Sequence, residues 1–181
     1  MKATYQIDPA HSSAHFSVRH MMITNVRGSF RSVSGQVTFD PDNVANSSID
    51  ATIDAASINT NDEQRDTHLK SAEFLDVARF PTITFHSKSL EAAGDGEVNV
   101  RGDLSIHGIT REVVLTVDGP TAEGKDPWGN VRIGASGATR IKRSDFGLTW
   151  NVALEAGGFL VGDELRIDLE ISLVKSATAA A

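Results

Sequence analysis

Apolar and polar residues alternate with a period of two along most of the chain. In AHFSVRH, Phe16, Val18 and His20 share one face while His15, Ser17 and Arg19 share the other. Val33, Val37 and Phe39 oppose Ser34, Gln36 and Thr38, and Ile49, Ala51 and Ile53 oppose Asp50, Thr52 and Asp54. Val98, Val100, Leu104 and Ile106 form another such face, and Leu165, Ile167, Leu169, Ile171 and Leu173 form the longest. This is the pattern of strands with one buried face. DPDN at 40–43, AAGDG at 92–96, DGP at 118–120 and KDPWGN at 125–130 punctuate the runs, and all five prolines fall between them, where a missing N–H harms no ladder. The pattern gives about seven to nine strands, most of them long. Long antiparallel strands leave exposed edges unless the sheet closes, which favours an up-and-down barrel over a sandwich. At 181 residues the chain is read as one domain, over 1–175, followed by a tail at 176–181.

One stretch breaks the period: NTNDEQRDTHLKSAEFLDVARFP, residues 59–81. Thr60 and Glu63 have the spacing of a capping box, and Asp62 and Glu63 suit the positive end of a helix dipole. Asp62–Arg65 and Asp66–Lys70 have the spacings of helical ion pairs. The stretch predicts a short helix over 61–72, lying outside the core and anchored at its C-terminal end by Phe74 and Leu75.

Charge and composition remove several function classes. The formal charge is −7, which argues against nucleic acid as a partner and against attachment to an anionic lipid surface. There is no cysteine, which excludes disulfides, thiolate catalysis and sulfur-rich zinc sites. MKATYQIDPAHSS has no apolar run of the secretory type and no later stretch reaches membrane-spanning length, so the expectation is a cytoplasmic protein without stable membrane insertion, with a periplasmic protein trimmed of its signal as the alternative.

Catalytic and metal motifs are weak. His11, His15 and His20 invite a metal reading, but His15 and His20 lie five apart and face opposite sides of a strand. No H-E-x-x-H or G-x-S-x-G occurs, and the glycines lack the strand–turn–helix setting of a dinucleotide site. Arg65, Asp66 and His68 form the densest cluster of acid–base groups. An ion-paired helix explains them more simply than catalysis, and contact with a ligand head group at a barrel mouth is an intermediate reading. The apolar set includes Gly35, Ala51, Ala55, Gly102, Ala135 and Gly137. On an inner face these leave space for a long apolar ligand or for neighbouring side chains.

Four stretches, in this order and spacing, carry a resemblance over essentially the whole chain: IDPAHSSAHFSVRHMMITNVRGSF, RDTHLKSAEFLDVARFPTITF, LSIHGITREVVL and RIKRSDFGL. Together they resemble the YceI-like family of polyisoprenoid-binding proteins. The resemblance implies an all-β fold, an extended lipocalin-like antiparallel barrel of about eight strands with a helix near one end. It also implies an elongated cavity holding a polyisoprenoid, an isoprenoid quinone or a similar amphiphile, with no chemical step and no required cofactor. Many family members are periplasmic and dimers are common, which makes a homodimer an expectation here too. On this reading the chain sequesters, stores or transports such a lipid. Inward parity nominates Phe16, Val18, Phe39, Ile53, Phe85, Leu104 and Trp150 as wall residues. His20, Arg65, His68 and Arg143 are nominated as partners for a desolvated head group, with an Arg143–Asp145 pair as the plainer alternative for Arg143. The rival readings are a hydrolase or isomerase using Asp66 and His68 on an apolar substrate, and a stress-related scaffold with no ligand.

Overall fold

The computed structural model describes residues 1–177; the tail expected at 176–181 lies outside the described residues from 178 onward. The strands are β1 (Ala3–Ile7), β2 (Ser13–His20), β3 (Thr24–Phe30), β4 (Val33–Phe39), β5 (Ser48–Asp54), β6 (Ile58–Asn59), β7 (Thr82–Gly94), β8 (Glu97–Ile106), β9 (Ile109–Asp118), β10 (Gly124–Lys125), β11 (Val131–Lys142) and β12 (Val161–Lys175). One helix, α1 (Glu63–Lys70), interrupts them.

Every pairing between these strands is antiparallel. One edge of β12 pairs with β11 from Arg132↔Val174 to Lys142↔Glu164. Its other edge takes β1 and then β2, which lie end to end and act as one wall strand. β3 and β4 do the same beside them. The ladder continues through β5, β7, β8 and β9 back to β11. The result is a closed barrel of eight strands in up-and-down order, and closure removes the exposed edges that long strands would otherwise present.

The two ends of the barrel differ. The described chain begins and ends at one of them, beside the β4–β5, β7–β8 and β9–β11 connections. The other end carries α1, a short 3-10 turn at Arg143–Phe146 and an irregular segment, 147–160. There Ala55, Ile58, Leu75, Ile83, Ile106, Phe146 and Leu148 form a buried cluster, with Leu69 of α1 packed against it. Phe146 is 1% exposed, so this plug is well packed.

The helix is shorter than the 61–72 expected, and its cap lies elsewhere. Asn61 takes a left-handed φ of 60°, which moves the N-cap on to Asp62, whose carboxylate accepts from Arg65 N at 2.9 Å. The capping box between Thr60 and Glu63 therefore does not form. Neither the Asp62–Arg65 nor the Asp66–Lys70 ion pair is present among the described residues: the Arg65 guanidinium is bonded to Thr60, and Asp66 turns inward to the same residue. The C-terminal anchor is as expected: Phe74 and Leu75 are buried.

Candidate ligand cavity

Inward parity from the wall strands converges on a cavity along the barrel axis. Phe16, Phe39, Ile53, Phe85 and Leu104 line it, together with Leu90, Val98, Val100, Ile133, Ile167, Leu169 and Ile171. The space open to the centre of a water-sized body is about 210 Å³. Lining residues run from Val98 to Ile106 on β8, which is roughly 20 Å along a tilted axis at ~3.3 Å per residue. The mean free cross-section is then about 10 Å², and adding a water radius of ~1.4 Å all round gives a bore about 6 Å wide. That is the width of one extended hydrocarbon chain.

The small residues divide into two kinds. Ala51, Ala135 and Gly137 line the bore. A Cβ on Gly137 would meet Leu169 and Val117 at ordinary contact distances of 3.5 and 3.6 Å, so this glycine is a place where the wall is thin. Gly102 is different, because a Cβ there would strike the Phe85 ring at 2.5 Å; it makes room for a neighbour, not for a ligand. Ala55 is 1% exposed in the end plug.

Two nominated wall residues lie elsewhere. Val18 pairs with Leu165 and Val26, beyond Phe16 towards the tip of the β2–β3 hairpin. Trp150 sits outside any strand and packs against the rings of His68 and Phe74, with centroids 4.7 and 5.2 Å away. Parity fails for Trp150 because the 147–160 segment has no strand period. Polar residues on the cavity surface are few. His15 Nε2 is bonded to Ser13 Oγ at 2.8 Å, and Thr139 Oγ1 donates to Val114 O at 2.8 Å. Ser136 is the remaining polar side chain, so the surface of the bore is almost wholly apolar.

None of the four head-group candidates lines the cavity. His20 ends β2, half-buried, opposite Val161 and Thr24. His68 Nε2 is 2.5 Å from Glu73 Oε2, and its ring meets Phe74 and Trp150 edge-on. Arg65 donates from Nε to Thr60 Oγ1 at 2.8 Å and from Nη2 to Thr60 O at 2.9 Å. Asp66, 9% exposed, accepts from Thr60 N at 2.9 Å and Thr60 Oγ1 at 2.6 Å. Thr60 thus ties the start of the helix to both residues. Asp66 and His68 serve different partners and form no acid–base pair.

Arg143 is 6% exposed and its guanidinium is spent on backbone carbonyls. Nε donates to Gly162 O at 2.7 Å, Nη1 to Leu148 O at 2.6 Å and Trp150 O at 2.9 Å, and Nη2 to Val161 O at 3.2 Å. Burial pushes its pKa down from the ordinary arginine value, and Asp163 opposes that shift. Neither reading from sequence, head-group contact or an Asp145 pair, matches these bonds. Arg143 clasps the two arms of the 147–160 segment, a role that follows from burial and cannot be read from residue type. Among the described residues no group of three or more His, Asp or Glu side chains is placed to hold a metal, and no helix is long and apolar enough to cross a membrane.

The geometry has close counterparts. The structure superposes on Burkholderia cenocepacia BcnA with a TM-score of 0.76 at 27% identity, covering 95% of this chain and 99% of the other. It superposes on the Campylobacter jejuni YceI protein with a TM-score of 0.72 at 30% identity, covering 88% and 90%. A polyisoprenoid-binding domain from Saccharophagus degradans, implicated in plant cell wall breakdown, shares the fold with a TM-score of 0.70 at 17% identity, covering 96% and 99%. A UPF0312 protein of Vibrio cholerae is 38% identical over 148 residues, 81% of this chain and 78% of the relative. The model of the YceI-like domain matches residues 5–173. The chain therefore belongs to the YceI-like domain family.

Proposed function

We propose that this protein binds the hydrocarbon chain of an isoprenoid-type lipid, a polyisoprenoid, a prenyl quinone or a similar amphiphile, inside the barrel and without chemical turnover. The observation that carries the reading is the apolar bore, about one chain wide on average, whose few polar lining groups are largely bonded within the protein. Burial of apolar area at about 25 cal/mol per Å² supplies the driving force, reduced by the cost of ordering the chain. The same fold in a polyisoprenoid-binding domain supports this choice of ligand. Sequestration, storage and transport all use such a site. The nominated acid–base pair offers no support for the hydrolase reading, since Asp66 and His68 are engaged separately.

Denaturing the purified protein, extracting with organic solvent and weighing the extract by mass spectrometry tests the proposal. A co-purified or added prenyl chain at ~100 times its Kd should raise stability by about 2.7 kcal/mol, or roughly 5–11 °C in Tm for a domain of this size. Protein recovered lipid-free, with a Tm that does not move for prenyl quinones or prenyl phosphates, overturns it.

A further inference from the structure

Among the described residues, large apolar side chains are exposed in one place beyond isolated positions. Met22 and Ile23, in the β2–β3 turn, are 62% and 69% exposed; Phe159, in the 147–160 segment, is 59% exposed, with Met21 and Val152 beside them in the same two loops. The loops touch. Met21 N donates to Leu160 O at 2.7 Å, and a Cβ on Gly158 would collide with the Met22 sulfur.

The turn is built at a conformational cost. Ile23 N closes it on His20 O at 3.1 Å, and the two residues inside, Met21 and Met22, have left-handed φ of 51° and 60°. Such positions favour Asn and Gly. Two methionines there keep apolar side chains at a tip that local backbone preference would make polar or bare, and strain of this kind concentrates at functional surfaces.

The surroundings are densely charged, with a small cationic excess. On the outer barrel face next to the turn, Arg19, Arg27, Arg140 and Arg166 share a groove with Asp163, Glu164 and Asp168. Arg140 pairs with Glu164 and Arg166 with Asp168, while Asp163 accepts from Ser144. Arg19 and Arg27 have no carboxylate partner among the described residues; Arg19 reaches only Asn25 and Met22 O. The net charge of −7 is an average that conceals this local pair.

We propose that the turn at 21–23 and the loop around Phe159 form a peripheral contact with an anionic lipid bilayer, the apolar tips entering the interface while Arg19 and Arg27 meet lipid phosphates. Protruding apolar tips rimmed by guanidinium groups match a bilayer, which is apolar beneath a layer of phosphate. A second copy of the chain is the rival occupant, and it would show as a dimer in the absence of vesicles. Contact of this kind does not depend on what the barrel holds.

Vesicle sedimentation tests it, using phosphatidylcholine with about 30% phosphatidylglycerol against phosphatidylcholine alone. The wild-type protein should sediment with the anionic vesicles. Ile23→Ser with Phe159→Ser should weaken this at least ~10-fold while leaving the melting curve in place, since both side chains already face water. Arg19→Gln with Arg27→Gln should weaken it several-fold and flatten its salt dependence. Met22→Trp should give a blue-shifted emission only with anionic vesicles. No sedimentation of the wild type, or equal sedimentation of the Ile23/Phe159 variant, overturns the proposal. So does a wild-type dimer that ignores vesicles and becomes monomeric in that variant.

Discussion

Replacing Arg143 by Met keeps an unbranched stem in place and removes every donor. The Val161 carbonyl keeps a second partner, since Asn151 Nδ2 also donates to it at 2.7 Å. The other three carbonyls fare worse. Among the described residues those of Leu148 and Trp150 accept from no backbone N–H, and Gly162 O loses its 2.7 Å bond. Only the bond to Leu148 is fully buried. An orphaned buried acceptor costs about 2 kcal/mol, and one that water can reach costs about 0.5–1 kcal/mol. The sum is about 3–4 kcal/mol, and relief from burying the guanidinium brings the net loss to roughly 3 kcal/mol. For a domain of this size that is a fall in Tm of about 6–12 °C. Arg143→Lys keeps the charge but cannot span all four carbonyls, so its stability should fall between wild type and Arg143→Met. Thermal and urea unfolding followed by circular dichroism measure the loss. Hydrogen exchange should show amides of 148–162 opening in Arg143→Met while the β7–β8 ladder stays protected. A loss below about 1 kcal/mol, with 148–162 still protected, refutes the clasp.

Thr60→Val removes the hydroxyl shared by Asp66 and Arg65 and should destabilise by about 2 kcal/mol, read by urea unfolding, with faster proteolysis within 60–80. Gly137→Leu projects a side chain into the bore from a position whose Cβ fits; it should abolish uptake of a prenyl quinone, scored by thermal shift, while the empty protein melts within a few degrees of wild type. His68→Ala loses edge-on contacts with Phe74 and Trp150 and should cost about 1 kcal/mol, yet leave prenyl quinone uptake unchanged because the ring does not line the cavity. Asp8, held by Arg132 and then by His11, has its pKa lowered to about 2. Between about pH 4 and 2 the unfolded chain binds this proton more readily than the folded one. Its stabilising contribution is therefore complete above the unfolded pKa and is lost as pH falls towards 2. Asp8→Asn should shallow the acid limb of a stability–pH curve, and an unchanged limb would remove Asp8 as its cause.

The barrel is legible in the sequence because period two is written into nearly every strand and because turn residues stand where the runs end. The helix is legible in place but not in detail. Thr60 and Asp62 both have side chains suited to an N-cap, and the residue types alone do not decide between them. The left-handed backbone at Asn61 decides it, and burial of Thr60 at 4% exposure turns an expected cap into a tie between Asp66 and Arg65. That tie depends on packing against the barrel, which local spacing does not encode.

For the cavity, parity works where a strand is regular and bounded on both sides by other wall strands, as at Phe16, Phe39, Ile53, Phe85 and Leu104. It gives no guide to where the bore stops. Val18 has the parity of Phe16 but lies past the bore, and Trp150 belongs to a segment with no period at all. Charged residues are ambiguous for a related reason. Ligand contact and backbone clasping both require a donor at a barrel end, and residue type cannot separate them. What separates them is the number of unsatisfied carbonyls nearby. An irregular segment such as 147–160 leaves its carbonyls outside any ladder, and a buried arginine beside it is drawn to them before any ligand arrives. Arg143 shows the result: its donors are already occupied by carbonyls at the two ends of the segment.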